Sequence, residues 1–178
     1  SHFVNTVSPT FLLEIVEGRH SFVEPQIQSE LANKVRTGCA VGILNAPDPS
    51  YAPDHDRALI QKYTAGSHNS GKKENKRFLQ KNLGLLEDSS APLFFWPSRL
   101  DSVQKGCQLF AEILYGIVSD YWEDKLQIVF VADGEYQKYF KDIVDFRKLS
   151  SRVSIRNFDE RLSRLAFGAA DFVLMPSR

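Results

Sequence analysis

Charge of one sign is missing from this chain: 22 Lys and Arg stand against 22 Asp and Glu in 178 residues, a formal net charge of zero. A domain devoted to a polyanion is normally basic overall, so nucleic acid is not an expected partner, although neutrality still allows a local cationic pocket. Sulfur is scarce as well. Cys39 and Cys107 are the two cysteines, and without C-x-x-C spacing they form neither a zinc ribbon nor a thioredoxin-type motif. They read as reduced core thiols. Long apolar runs are absent: residues 126–132 are far too few to span a bilayer as a helix, so no membrane partner is expected. The opening SHFVNTVSPT has neither the basic nor the apolar region of a signal peptide. His2, His20, His55 and His68 are scattered through mostly polar surroundings and read as surface residues, so no metal site is expected. There is also no G-x-G-x-x-G, P-loop, H-E-x-x-H or G-x-S-x-G motif.

What is present suffices for a core. With 43% hydrophobic and 12% aromatic residues, a chain of this length folds without disulfide or metal staples. Residues 3–7 read as a short strand. Ser8-Pro9 then marks a helix start, with Pro in the first turn and Ser as cap, and a helix follows around 11–16 and ends at Gly18. A second helix is expected over about 26–34 and a buried strand or an extended crossing over 39–44. Residues 45–53 hold three prolines, Pro47, Pro49 and Pro53; proline fixes φ and removes a donor, so this segment reads as a stiff hinge between domains. A loop over 64–71 precedes a basic helix over 72–83, whose lysines and Arg77 read as a solvated face.

Beyond it the chain alternates. Apolar strands at 92–96, 126–132, 153–155 and 172–175 are separated by helical segments at 105–121, 135–146 and 159–167. Strands that are apolar throughout, each followed by a helix, predict an α/β fold with a doubly wound, Rossmann-like parallel sheet covered on both faces. Ligands of such sheets bind at the carboxyl ends of the strands. The sequence stops just after a core strand, from which an excised piece of a larger protein is expected.

The most informative segment is 98–106, leading from a strand's carboxyl end into a helix. It sets Arg99, a planar bidentate cation, and Lys105, a point charge, beside a helix N-terminus, and the natural target of that set is a diphosphate. The competing expectation is that Arg99 simply pairs with a nearby carboxylate. Asp133-Gly134-Glu135 is the corresponding turn after the next strand. After the third, Asp159 is expected to cap a helix, with Phe158 either stapling that helix or packing against a flat ring.

Six blocks in order resemble bacterial glycogen synthases and plant starch synthases. They are Val7-Ser8-Pro9-Thr10, Gly42-Ile43-Leu44-Asn45, Asn75-Lys76 with Leu79-Gln80 and Leu83-Gly84-Leu85, Arg99-Leu100 with Gln104-Lys105-Gly106, Phe158-Asp159-Glu160, and the final 170–178. The resemblance implies the GT-B architecture: two Rossmann-like domains with the active site in the cleft between them. It divides the chain into 1–44, the end of the N-terminal, acceptor-side domain; 45–53, the hinge; and 54–178, the first half of the C-terminal, nucleotide-sugar domain. The implied reaction moves glucose from ADP-glucose or UDP-glucose to the non-reducing end of an α-1,4-glucan, with retention and without a metal or other cofactor. By the same resemblance Arg99 and Lys105 grip the donor diphosphate and glucose, Asn45 reaches the donor from the hinge, and Phe158 lies near the base. A cytoplasmic location is implied, or a plastid in a plant.

Two departures stand out. Ala46-Pro47-Asp48 replaces the family's Gly-x-Asp after Asn45, stiffening the hinge, and Phe95-Trp96-Pro97 is bulkier than usual. The family's glycine-rich loop and its Glu-containing motif fall outside this sequence, so the chain alone is expected to be inactive. Two alternatives stay open: a non-catalytic module binding a nucleotide sugar or glucan, and another GT-B transferase using a different sugar nucleotide.

Overall fold

The computed structural model describes residues 2–101 and 105–176. The chain divides into two compact units, Ser1–Asp48 and Pro49–Arg178.

In the first unit β1 (Val4–Val7) pairs in parallel with β2 (Ala40–Ile43). Between them run α1 (Pro9–Val16) and α2 (Pro25–Arg36). Ser8 caps α1 with its hydroxyl, which accepts from Phe11 N at 3.5 Å, and Pro9 fills the first helical position where no donor is needed. Leu12, Ile15 and Leu31 form the small core. His20 is half-buried, 3.2 Å from the Glu14 carboxylate and beside the rings of Phe11 and Phe22, so it is not the plain surface residue expected.

The second unit is built on a four-stranded parallel sheet of β3 (Leu93–Trp96), β4 (Gln127–Val131), β5 (Val153–Arg156) and β6 (Phe172–Val173). The strands lie in the order β5-β4-β3-β6. Helices α3 (His68–Leu83), α4 (Cys107–Asp120), α5 (Tyr136–Phe146) and α6 (Glu160–Ala169) cover both faces. Side chains alternate across the sheet plane. Leu93, Phe95, Val129 and Val131 pack under α3 and α6, while Trp96, Ile128 and Phe130 pack under α4 and α5. The chain winds from β3 through β4 to β5, then crosses back by α6 to place β6 on the other side of β3. This is the expected doubly wound sheet, and its direction reverses between β3 and β6. Among the described residues no helix is long and apolar enough to cross a membrane.

Two local expectations are corrected, on α3, and α4 shows which of its apolar ridges is buried. Helix α3 begins at His68, inside the segment read as a loop; Gly71 is buried there because the Tyr63 ring packs where a Cβ would stand, 2.4 Å from Tyr63 Cβ. Nor is α3's basic face simply solvated: Lys76 is 3% exposed, and Lys72 Nζ donates to the Ala170 carbonyl. On α4, Phe110, Leu114 and Val118 enter the core while Leu109 and Ile113 stay exposed, because two adjacent apolar ridges cannot both face one sheet.

Candidate functional site

The carboxyl ends of the second unit's strands are drawn together by backbone contacts. Trp96, fully buried among Phe110, Phe130 and Phe140, donates its indole N–H to the Ser98 carbonyl at 2.8 Å. A buried indole needs such a partner. The bulky residue that departs from the family pattern therefore lies inside the core and holds the start of the loop. Leu100, also fully buried, donates its N–H to the Asp133 carbonyl at 2.9 Å and accepts from Tyr136 N at 3.3 Å. Gly134 makes this approach possible: a Cβ there would stand 2.4 Å from the Leu100 carbonyl oxygen. The tail of β5 is tied in by Phe158 N, which donates to Asp133 Oδ1 at 3.1 Å.

The tail of β6 closes the cluster at the reversal point. Gly106, at φ +61°, lies so near Pro176 that a Cβ would come within 2.2 Å of its carbonyl oxygen. Only a residue without a side chain fits both that conformation and that gap. Gly106 is also the N-cap of α4 and brings no side chain to its free N–H groups. The neighbouring helices differ. The α6 N-terminus is closed by Asp159 Oδ1, which accepts from Leu162 N at 2.7 Å, as expected for a cap, and α5 has Glu135 at its N-cap. Neither α4 nor α5 has a side-chain cap or an acidic residue in its first turn; they differ at the cap itself, which is Glu135 in α5 and the uncharged Gly106 in α4. The α4 N-terminus has the local charge an anion needs.

Arg99 and Lys105, singled out from the sequence, lie on the segment that leads from the end of β3 into this turn. Arg99, next to the anchored Leu100, is exposed and has neither a hydrogen bond nor an ion pair among the described residues, so no carboxylate there holds it. Lys105 is half-buried, immediately before Gly106, and likewise has no such partner among the described residues. Residues 102–104, including Gln104 of the same block, lie outside the described residues, as do Ser177 and Arg178. Phe158 is 57% exposed and meets no other aromatic ring among the described residues; it does not staple α6, whose fourth residue is the polar Ser163. Two strand spacings, about 10 Å, separate its strand from that of Arg99. Asn45 belongs to the first unit, two residues past β2, with its side chain exposed. Among the described residues no group of His, Cys, Asp and Glu is disposed to hold a metal ion.

Sequence reasoning missed the polar network beneath this edge. Asn75, fully buried, accepts from Ile60 N and Gln61 N at 2.9 and 3.1 Å and donates to the carbonyls of Gln61 and Gly71. Gln80 bridges Asp88 and Gln127. Lys76 Nζ reaches Asp171 Oδ2 at 2.6 Å and the Ala91 carbonyl at 2.9 Å. The signal was a run of polar residues at helical spacing, Asn75, Lys76 and Gln80, beside Leu79 and Leu83.

No protein-family model matches the chain. Individual proteins do. The glycogen synthase of Acholeplasma laidlawii is 32% identical over 178 residues, 98% of this chain. That of Exiguobacterium sibiricum is 34% identical over 181 residues, again 98% of this chain. The resemblance to glycogen synthases therefore runs along nearly the whole sequence. In three dimensions the catalytic domain of starch synthase IV from Arabidopsis thaliana, in a structure with bound ADP and acarbose, matches 99% of the chain with a TM-score of 0.79 and 29% identity. The chain spans about 35% of the length of each of these glycogen synthases and of that starch synthase chain. The expected likeness to glycogen and starch synthases, and the expected α/β fold, both hold.

Proposed function

We propose that this chain carries the hinge and the first half of the nucleotide-sugar domain of a glycogen or starch synthase. The whole protein transfers glucose from ADP-glucose to the non-reducing end of an α-1,4-glucan, with retention, in the GT-B manner and in the cytoplasm. In this reading residues 1–44 end the acceptor-side domain, 45–53 are the hinge, and 54–178 begin the donor domain. Asn45 reaches the donor from the hinge, and Phe158 lies against the base. Arg99 and Lys105 receive the diphosphate.

One observation supports the reading: Arg99 and Lys105, with no partner among the described residues, lie on the segment that leads from the end of β3 into the N-terminus of α4, where the sheet reverses direction. Breaking the glucosyl–phosphate bond builds negative charge on the β-phosphate oxygens. Fixed cations stabilise that state more than the ground state, because the charge they face is growing. A preorganised contact of this kind is worth about 3 kcal/mol. Arg99→Ala or Lys105→Ala in the full-length protein is therefore expected to lower kcat about a hundredfold or more. Turnover near that of the wild type in both variants would refute the assignment.

A further inference from the structure

The strand that closes the candidate diphosphate site is barely a strand. β6 pairs with β3 at two positions, Phe94 with Phe172 and Phe95 with Val173. Three residues past that pairing, Pro176 sets its carbonyl against Gly106. So short a ladder needs another fastening, and it has one at its start. A single oxygen, Asp171 Oδ2, accepts from Lys76 Nζ at 2.6 Å and from Leu93 N, the first N–H of β3, at 2.8 Å. Asp171 N donates in turn to the Leu93 carbonyl at 2.9 Å. Lys76 is held by α3 and buried, so it fixes the carboxylate from below while Leu93 fixes it along the strand. Next to this pair Lys72, also on α3, holds the Ala170 carbonyl.

We propose that Lys76 and Asp171 are a positioning pair for donor binding. By setting how far β6 lies along β3, they set where Pro176 meets Gly106, and hence the pose of Lys105 and the first turn of α4. This rests on the donor-site reading above. Neither residue touches the donor: the pair acts through the β6 backbone. The carboxylate is the essential part, because one charged oxygen serves both the ammonium and the strand N–H. An amide in its place keeps an acceptor for Leu93 and loses the ionic pull of Lys76.

The test uses the full-length protein with Asp171→Asn, reading ADP affinity by calorimetry and residue-resolved amide hydrogen exchange by mass spectrometry. Three amides matter. Leu174 N, bonded to the Phe95 carbonyl, reports β6; Phe110 N, bonded to the Gly106 carbonyl, reports the start of α4; Ile128 N, bonded to the Arg152 carbonyl, reports the core. The expected result is exchange at least tenfold faster at Leu174 and Phe110, no change at Ile128, and ADP bound at least tenfold more weakly. If Asp171→Asn does not fold, Lys76→Met carries the same expectation, since it removes the ammonium and leaves an apolar chain of similar length. Unchanged exchange at Phe110, or faster exchange with unchanged ADP affinity, would overturn the proposal. So would loss of the whole fold in both variants, which would make the pair a support of the core. If the wild-type full-length protein does not bind ADP, the donor-site reading fails, and exchange at Phe110 alone decides whether the pair positions α4.

Discussion

Replacing Gly106 by alanine separates two costs that usually come mixed. The residue sits at φ +61°, where an L side chain pays about 1–2 kcal/mol of backbone strain. Gly84, the C-cap of α3, has φ +74° and nothing within 4 Å of its ideal Cβ, so Gly84→Ala carries the strain alone. At about 2–4 °C per kcal/mol, Gly84→Ala should lower the melting temperature by roughly 2–8 °C. Gly106→Ala adds the approach to Pro176. From 2.2 Å the carbonyl oxygen must retreat by about 1 Å to reach the 3.4 Å of ordinary contact. The atom in the way is backbone and not the end of a flexible side chain, so relief needs a shift of the chain itself. The melting temperature of Gly106→Ala should therefore fall further than that of Gly84→Ala. Function should fall by more again. A displacement of about 1 Å in a positioned site can cost on the order of a hundredfold in rate. The comparison calls for thermal melts of both variants beside steady-state turnover with ADP-glucose and glycogen in the full-length protein. If the two variants match in melting temperature and in kcat, the Gly106–Pro176 contact has no part in shaping the site.

Two further outcomes follow from the buried polar groups. Asn75→Ala leaves the N–H groups of Ile60 and Gln61 and the carbonyls of Gln61 and Gly71 without their partner, so urea unfolding should show a loss of about 2–4 kcal/mol; a loss below 0.5 kcal/mol would mean that water replaces the amide. Burial, with Asp101 and Glu135 adding to it, pushes the Cys107 thiol up to about 11, so at pH 8 it is almost wholly protonated. Alkylation followed by mass spectrometry should mark Cys39 and spare Cys107 in the folded protein, and mark both in urea; rapid labelling of folded Cys107 would refute the assignment. The sign of the linked stability is fixed too: the unfolded thiol ionises at a lower pH than the folded one, so stability falls as pH rises from about 8.5 towards 11.

The second unit's sheet was legible because its strands are apolar without alternation and each is followed by a turn and a helix. Residues 126–132 and 153–155 could be little else. The α3 boundary was not legible. Gly71 among small polar residues signals a loop locally, and only the Tyr63 ring, eight residues away, explains a glycine inside that helix. The roles of Lys72 and Lys76 were hidden for a similar reason, since a lysine on a polar helix face belongs in water unless a distant acceptor meets it. Here the acceptors, Ala170 and Asp171, are more than ninety residues away. Arg99 and Lys105 were singled out from their position in the sequence alone, and their role stays a proposal. Their open setting was not legible, because that depends on Asp159 closing the neighbouring helix and Gly106 leaving α4 uncapped.

The blocks that carry the resemblance to glycogen synthases sort into two physical kinds. Asn75, Lys76, Gln80 and Asp171 have their hydrogen-bonding groups met inside the protein, by partners that hold α3, β3 and β6 in place. Arg99 and Lys105 do not: among the described residues their charges meet nothing. A buried polar group without a partner is costly, so satisfied ones are explained by the fold they stabilise. Cations with no partner among the described residues, on the segment that enters α4, are not explained that way. The division falls along one line through the structure, with satisfied groups under the sheet and at the start of β3 and β6, and unsatisfied ones at the strand ends. A ligand with two adjacent negative charges at that edge would complete the second set as the first is already complete, which is why the candidate site is assigned to Arg99 and Lys105 and not to the richer network beneath them.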